Sequence, residues 1–147
     1  SSVFLKLLKD ISTIYMERGI HNKDLLSSPE VVFDYLKMAL KGAVDEEIKI
    51  LFLDGRNQLI EIETLKAGTV NRSVVFPRTI VERALYHHAV GVILAHNHPS
   101  GSIEPSEEDE EMTKAIAKAL KTVDIKLLDH IIIGGNEYFS FKEQNLF

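Results

Sequence analysis

The spacing of apolar residues along the chain first marks out its helical segments. In several stretches apolar side chains recur every three or four residues, which is the spacing of one face of an α-helix. The second stretch carries further signals of a helix start, because Ser28 suits the N-cap and Pro29 suits the first helical position. Helices are expected over residues 3–17, over 29–40, from Arg78 to about His88, and from near Ser106 onward.

The intervening segments have the patterns of β-strands. EIKILFLDGRNQLIEIETL indicates two strands around the turn at 54–57, and IKLLDHIIIGGNEYFSF indicates two strands around the turn at 134–136. The run from Val90 to Ala95 is wholly apolar, as expected of a central strand covered on both faces. Helices and strands together predict one α/β domain, with helices packed on a central β-sheet.

Size and composition agree with an ordinary globular domain. A chain of 147 residues is long enough for one domain with its own core. A hydrophobic content of 45% and a charged content of 27% exclude a disordered or fibrous chain. The sequence contains neither a membrane-spanning run nor a signal-peptide pattern, so a cytoplasmic protein is expected.

Cysteine content and charge narrow the chemistry. The sequence has no cysteine, which removes disulfides, thiolate nucleophiles and cysteine-type zinc sites, so a metal would be held by nitrogen and oxygen. The net charge is −5, and the densest charged run, residues 104–111, is acidic. Nucleic-acid binding by this segment is not favoured, because phosphate-binding proteins present a basic face.

Two histidines stand at the end of the apolar run. His96 and His98 are separated by one residue, so their side chains project to the same side of an extended segment, and Asn97 points away from them. Such a pair beside an acidic loop suits a divalent metal, because zinc binds histidine nitrogen and carboxylate oxygen. The alternative is a pair of hydrogen-bonded loop histidines, and the pair alone leaves both interpretations open.

The carboxylate that would complete such a site also has a purely structural explanation. Ser106 and Asp109 have the spacing of a capping box, in which each side chain bonds the other residue's backbone N–H at a helix start. The cap alone explains both residues. A rigid first turn is nevertheless a suitable place from which to direct a carboxylate at a metal.

These residues form one pattern, HxHP followed after six residues by SxxD, in His96, His98, Pro99, Ser106 and Asp109. The pattern resembles the signature of the JAB/MPN (JAMM) zinc metalloprotease family, which includes deubiquitinating isopeptidases. VILAHNHPSGSIEPSEED and LLDHIIIGG are similar to the bacterial RadC-like branch of that family. The resemblance implies a JAB/MPN-like domain with a mixed central sheet in residues 28–147. It leaves residues 1–27 as an N-terminal helical extension, the tail of a longer upstream region.

The resemblance implies a role for each motif residue. His96 and His98 would bind zinc, with Asp109 as the carboxylate ligand and a water molecule in the fourth position. Ser106 would stabilise the oxyanion of the tetrahedral intermediate by a hydrogen bond. The implied activity is hydrolysis of an amide bond in a peptide or isopeptide substrate. Zinc suits this set of ligands, although iron, manganese or nickel can occupy such a site.

The family also uses a glutamate near the start of an upstream strand as general acid/base. Glu46 lies five residues before the first leucine of LFL, as the RadC-like pattern requires, and Glu47 is the alternative. Strand alternation sends these two side chains to opposite faces. An exposed, charged strand entry would explain either residue without a function.

Three other histidines are open to structural explanations. His87 and His88 lie at the end of a predicted helix, where its C-terminal dipole favours them. His130 follows Asp129 within an apolar strand. The two are either a pair that orients a metal ligand or a hydrogen-bonded pair of the core.

Two further functions are compatible with the resemblance. RadC-like proteins have an association with DNA repair, and longer members resemble a chain with a helix-hairpin-helix region before this domain. DNA contacts would then lie in that region, which is absent from this sequence. The other alternative is a protein-interaction module without catalysis, which the intact HxHP and SxxD motifs disfavour.

Overall fold

The computed structural model describes residues 2–66 and 72–147, in which helices surround one β-sheet. The helices are α1 (Ser2–Ile20), α2 (Pro29–Leu40), α3 (Arg72–Tyr86) and α4 (Glu107–Lys121). The strands are β1 (Glu47–Leu53), β2 (Leu59–Lys66), β3 (Gly91–Asn97), β4 (Lys126–Gly134) and β5 (Glu137–Ser140).

The sheet has the strand order β2-β1-β3-β4-β5. β3 and β4 are parallel, whereas the other neighbouring pairs are antiparallel. A parallel pair needs a crossover connection, and α4 provides it. The prediction of a single α/β domain with a mixed central sheet and helices packed on it is confirmed.

Alternation along the strands sends side chains into two cores. Leu51 and Ile93 lie in the core that includes α2, whereas Ile50 and Leu94 lie in the core formed with α3 and α4. β3 is buried along its whole length, as its apolar sequence predicts. His96 continues the alternation of Leu94 and therefore faces α4.

Both predicted hairpins form. At the first, the carboxylate of Asp54 accepts hydrogen bonds from the N–H groups of Arg56 and Gln58 at 2.8 and 3.0 Å. Asn57 completes this turn with a φ of 60°. At the second, Gly135 has a φ of 58°, a left-handed conformation that glycine adopts without a steric penalty.

The predicted start of the third helix is wrong. α3 begins at Arg72 rather than Arg78 and continues through Pro77. A proline inside a helix removes a backbone hydrogen bond, but its φ is compatible with the helix. Phe76 beside it is buried, and removing its apolar surface from water is favourable. Residues 67–71 of the loop expected before this helix lie outside the described residues.

The first helix forms as predicted, but its apolar stripe is exposed. Leu7, Ile11 and Ile14 are 54%, 53% and 52% exposed, whereas Ile20 at the end of α1 is buried. Periodicity therefore identifies the helix but not the packing of its apolar face. Within residues 2–66 and 72–147, no helix combines the length and apolarity that crossing a membrane requires.

Gly134 lies where the loop after His98 approaches the sheet most closely. A Cβ atom at this position would lie 2.5 Å from the carbonyl oxygen of Gly101 and 2.8 Å from Cγ2 of Ile103. We expect Gly134→Ala to lower the free energy of unfolding by about 1–3 kcal/mol, because the loop backbone must move. Urea unfolding measures this change. Gly55→Ala is the control, since a Cβ at Gly55 meets no atom within 4 Å. A loss no larger than that of the control would contradict this close packing.

Candidate metal centre

The two histidines of the motif lie at the end of the central strand. His96 pairs with Ile48 of β1 and Ile132 of β4, and it is fully buried. His98 lies just beyond β3, where its N–H donates to the carbonyl of Ile133 at 3.1 Å. The neighbouring strands thereby fix the backbone on which both rings are mounted. The Nε2 atoms of the two rings are 3.1 Å apart.

The carboxylate beside them comes from the first turn of α4. Ser106 Oγ accepts from the N–H of Asp109, and Asp109 Oδ2 accepts from the N–H of Ser106, both at 3.0 Å. The predicted capping box is confirmed. The same carboxylate faces the histidines, with Oδ2 3.1 Å from His98 Nε2 and Oδ1 3.4 Å from His96 Nε2. Asp109 therefore caps α4 and contacts both histidines with the same carboxylate.

The separations between these donor atoms fit a tetrahedral zinc ion. With bonds of about 2.0–2.1 Å, neighbouring ligand atoms of a tetrahedron are about 3.3 Å apart. Here the two Nε2 atoms are 3.1 Å apart, and they lie 3.1 and 3.4 Å from different oxygens of Asp109, which is close to that spacing. His96, His98 and Asp109 can each offer one ligand atom within 4.8 Å of the others. The three side chains that the sequence predicted as ligands are thus brought together.

The backbone orients the ring of His98. Its Nδ1 lies 3.0 Å from the carbonyl oxygen of Ser102, which can only accept a hydrogen bond. The ring must therefore carry a proton on Nδ1. In the neutral ring this leaves the lone pair of Nε2 directed at His96 and Asp109.

The surroundings of Asp109 favour its charged form. Burial by itself raises the pKa of this carboxyl group, but hydrogen bonding with His96 and with the N–H of Ser106 lowers it more. The net result is a pKa well below the usual value of an aspartic acid. A carboxylate that stays ionised is the form that binds a cation.

Glu46 approaches the histidines from the start of β1. Its Oε1 lies 3.9 Å from His96 Nε2. Asn97 holds the backbone on both sides of Glu46: Oδ1 accepts from the N–H of Glu47 at 2.7 Å, and Nδ2 donates to the carbonyl of Asp45 at 3.2 Å. Of the two adjacent glutamates, Glu46 is the one that shares a sheet face with His96. Asn97 points away from the histidines, as expected, and its two hydrogen bonds fix the backbone from which Glu46 projects.

The side chains of Asp129 and His130 make separate hydrogen bonds, although the backbone N–H of His130 donates to Asp129 Oδ1 at 2.7 Å. His130 Nε2 lies 2.7 Å from His96 Nδ1. Asp129 instead accepts from the Ser140 hydroxyl at 2.7 Å and from the N–H of Lys142 at 3.1 Å. Burial raises the pKa of Asp129 despite these hydrogen bonds. Only His130 of the two contacts a motif residue.

Thr113 contacts His130 behind the site, although no sequence motif includes it. Its Oγ1 lies 2.5 Å from His130 Nδ1 and 2.7 Å from the carbonyl oxygen of Asp109. The available signal was its place on α4, where a buried threonine lies among the apolar side chains Met112 and Ile116. A polar residue on an inward helix face requires a partner.

His87 has a side-chain partner that the sequence did not predict. Its ring bonds the carboxylate of Glu63 on β2, which also accepts from Arg83 Nε at 2.9 Å. Burial by itself raises the pKa of Glu63. Hydrogen bonds from Arg83 and His87 lower this pKa by a larger amount, so the net shift is downward. His87 therefore joins α3 to the sheet, away from the motif residues.

Comparison with known proteins identifies one family model and a set of similar proteins. The model of the RadC-like JAB domain matches residues 26–146. The chain is 42% identical over 144 residues to a UPF0758 protein of Pseudoalteromonas translucida, covering 98% of this chain and 64% of that protein. It is 44% identical over 132 residues to the UPF0758 protein YeeS of Escherichia coli, covering 89% of each. A UPF0758 protein of Paracidovorax citrulli is 45% identical over 131 residues, covering 89% of this chain and 55% of that protein. These names specify no reaction.

The lowered pKa of Asp109 predicts a contribution to acid stability in the metal-free protein. A carboxylate with a lowered pKa stabilises the fold above its unfolded pKa, near 3.8, and this stabilisation is lost as the pH falls toward the folded value. Between pH 7 and pH 3 we expect a loss of about 1 kcal/mol, because this range extends less than one pH unit below the unfolded pKa. Urea unfolding with a chelator, from pH 7 to pH 3, measures it against Asp109→Asn, which keeps the size of the side chain but does not titrate. Parallel pH profiles for the two proteins would contradict the prediction.

Proposed function

Because the chain belongs to the RadC-like JAB domain family, we propose that it is a zinc-dependent hydrolase of amide bonds, acting on a peptide or isopeptide substrate. The observation that carries the proposal is the convergence of His96, His98 and Asp109 on one point, with Glu46 beside them. Two nitrogens and one carboxylate oxygen, with room for a further ligand, are the donor set of a catalytic zinc site.

In the proposed hydrolysis the zinc ion, Glu46 and Asn97 would have different roles. A bound zinc ion supplies Lewis acidity, which polarises a carbonyl group and makes a water molecule more acidic. Glu46 takes a proton from the attacking water and returns it to the leaving amine, because its carboxylate lies beside the ligand His96. Asn97 supports this role by holding the peptide groups before and after Glu46.

Ser106 combines its capping bond with a second task. Its Oγ accepts from the N–H of Asp109, and this bond does not use the hydroxyl proton. The proton is thus available to donate to the developing oxyanion of the substrate. Removal of such a donor from a hydrolase site typically lowers kcat by about a hundredfold or more.

A cleft next to His98 gives the substrate a place to lie. It has a volume of about 370 Å³ and is lined by residues of the loop after His98 and by Leu40, Ile133 and Asn136. Loop backbone and apolar side chains together suit an extended peptide segment, which brings its own N–H and C=O groups. His98 is the residue that this cleft shares with the site, since Glu46, Ser106 and Asp109 do not line it.

The proposal is tested with zinc-loaded protein and two quenched-fluorescence libraries, one of linear peptides and one of peptides joined through a lysine side chain. We expect cleavage of at least one library. Glu46→Gln should lower kcat by about a hundredfold or more while zinc is retained, because only the proton transfer is lost.

Glu47→Gln is the matched control for this experiment. It removes the same charge one residue along the chain, on the opposite strand face, and should keep turnover within about twofold of the parent. A zinc-loaded parent that cleaves neither library would overturn the proposed function. Full turnover in Glu46→Gln would overturn the role of that glutamate.

A further inference from the structure

A line of buried hydrogen bonds lies behind His96, on the side of the ring away from Glu46 and Asp109. His96 Nδ1 lies 2.7 Å from His130 Nε2, and His130 Nδ1 lies 2.5 Å from Thr113 Oγ1. Thr113 Oγ1 in turn lies 2.7 Å from the backbone carbonyl oxygen of Asp109. All three side chains are fully buried. Each polar atom of the line therefore depends on its neighbour rather than on water.

The end of the line fixes the direction of every hydrogen bond in it. A carbonyl oxygen can only accept, so the single hydroxyl proton of Thr113 goes to Asp109. Thr113 Oγ1 must then accept from His130, which places a proton on His130 Nδ1. His130 is buried with no carboxylate on either ring nitrogen, and burial of an unpaired imidazolium is unfavourable. A neutral His130 has a bare Nε2, so His96 Nδ1 is the donor to it.

From this we propose that His130 and Thr113 are positioning residues, which hold His96 as the tautomer with its proton on Nδ1 and its Nε2 lone pair directed at His98 and Asp109. The purpose of this arrangement rests on the proposed metal site, since a neutral imidazole binds a metal through its unprotonated nitrogen. The arrangement of the neutral ring does not require a metal; a protonated His96 would keep its Nδ1 bond to His130 and would also donate from Nε2 to Asp109.

The fold also fixes the orientation of the His130 ring. Phe141 stacks on it with a centroid separation of 4.6 Å and an interplanar angle of 12°. Phe141 is fully buried, and its N–H donates to the carbonyl of His130 at 3.0 Å. A ring held flat against Phe141 keeps both of its nitrogens aligned with Thr113 and His96.

The line connects the two sides of the site. Asp109 contributes its carboxylate to the cluster and its carbonyl to the far end of the line. One turn of α4 therefore places a ligand and, through Thr113 and His130, sets the tautomer of a second ligand. This coupling would make the site ready for a metal before the metal arrives.

The first test is a long-range ¹H–¹⁵N spectrum of the metal-free protein labelled with ¹⁵N-histidine. We expect His96 in a single form, protonated at Nδ1. Thr113→Val keeps the shape of the side chain but removes the hydroxyl group, so His96 should become a mixture of tautomers. The zinc affinity, measured by competition with a chelating dye, should fall about 10- to 100-fold.

Two further variants separate positioning from general stability. His130→Gln offers an amide oxygen near the place of Nε2 and should restore most of the affinity that His130→Leu loses. Ser140→Ala removes a buried hydroxyl that donates to Asp129 on the other side of β4, and should change neither the tautomer nor the affinity.

A parent protein with its His96 proton on Nε2 would overturn the proposal. So would a Thr113→Val variant with parental tautomer and affinity. Both readouts are independent of turnover. A protein that binds zinc with the expected tautomer but cleaves no substrate would contradict the proposed function alone.

Discussion

Burial of the Asp109 carboxylate is the constraint on which the rest of the site depends. An ionised carboxylate away from water is unfavourable unless hydrogen bonds and positive charge surround it. Here the start of α4 supplies both, through the N–H of Ser106 and the positive end of the helix dipole. The histidines complete its surroundings, and a divalent cation between them would balance its charge. The first turn of α4 and the end of β3 are thus held together by one side chain.

Strand alternation brings the remaining groups to the same place. His96, Glu46 and His130 come from three adjacent strands or their ends, and all face α4. The parallel pairing of β3 and β4 requires the α4 crossover, so the element that closes the sheet also carries Asp109. On the opposite face the same strands pack against α2. The fold therefore presents groups that could hold a metal on one face without interrupting the core on the other.

Much of this arrangement was predictable from local sequence, because local rules determine it. The i, i+2 spacing of His96 and His98 and the capping box of Asp109 depend on only a few neighbouring residues. Strand order does not, so the connection from His96 through His130 to Thr113 could not be predicted: its members lie on different elements and meet only after packing. The start of α3 is not predictable from the sequence, because a proline such as Pro77 suits the end of a loop, whereas the helix here continues through it.

Elemental analysis of the purified protein tests whether His96, His98 and Asp109 bind one zinc ion. The parent protein and a His96→Ala/His98→Ala double variant would be loaded with zinc, freed of excess metal and measured by elemental analysis, with circular dichroism to establish folding. The account predicts about one equivalent of zinc in the parent and none in a double variant that remains folded. No retained zinc in the parent, or equal amounts in both proteins, would contradict it and leave Ser106 and Asp109 as a helix cap alone.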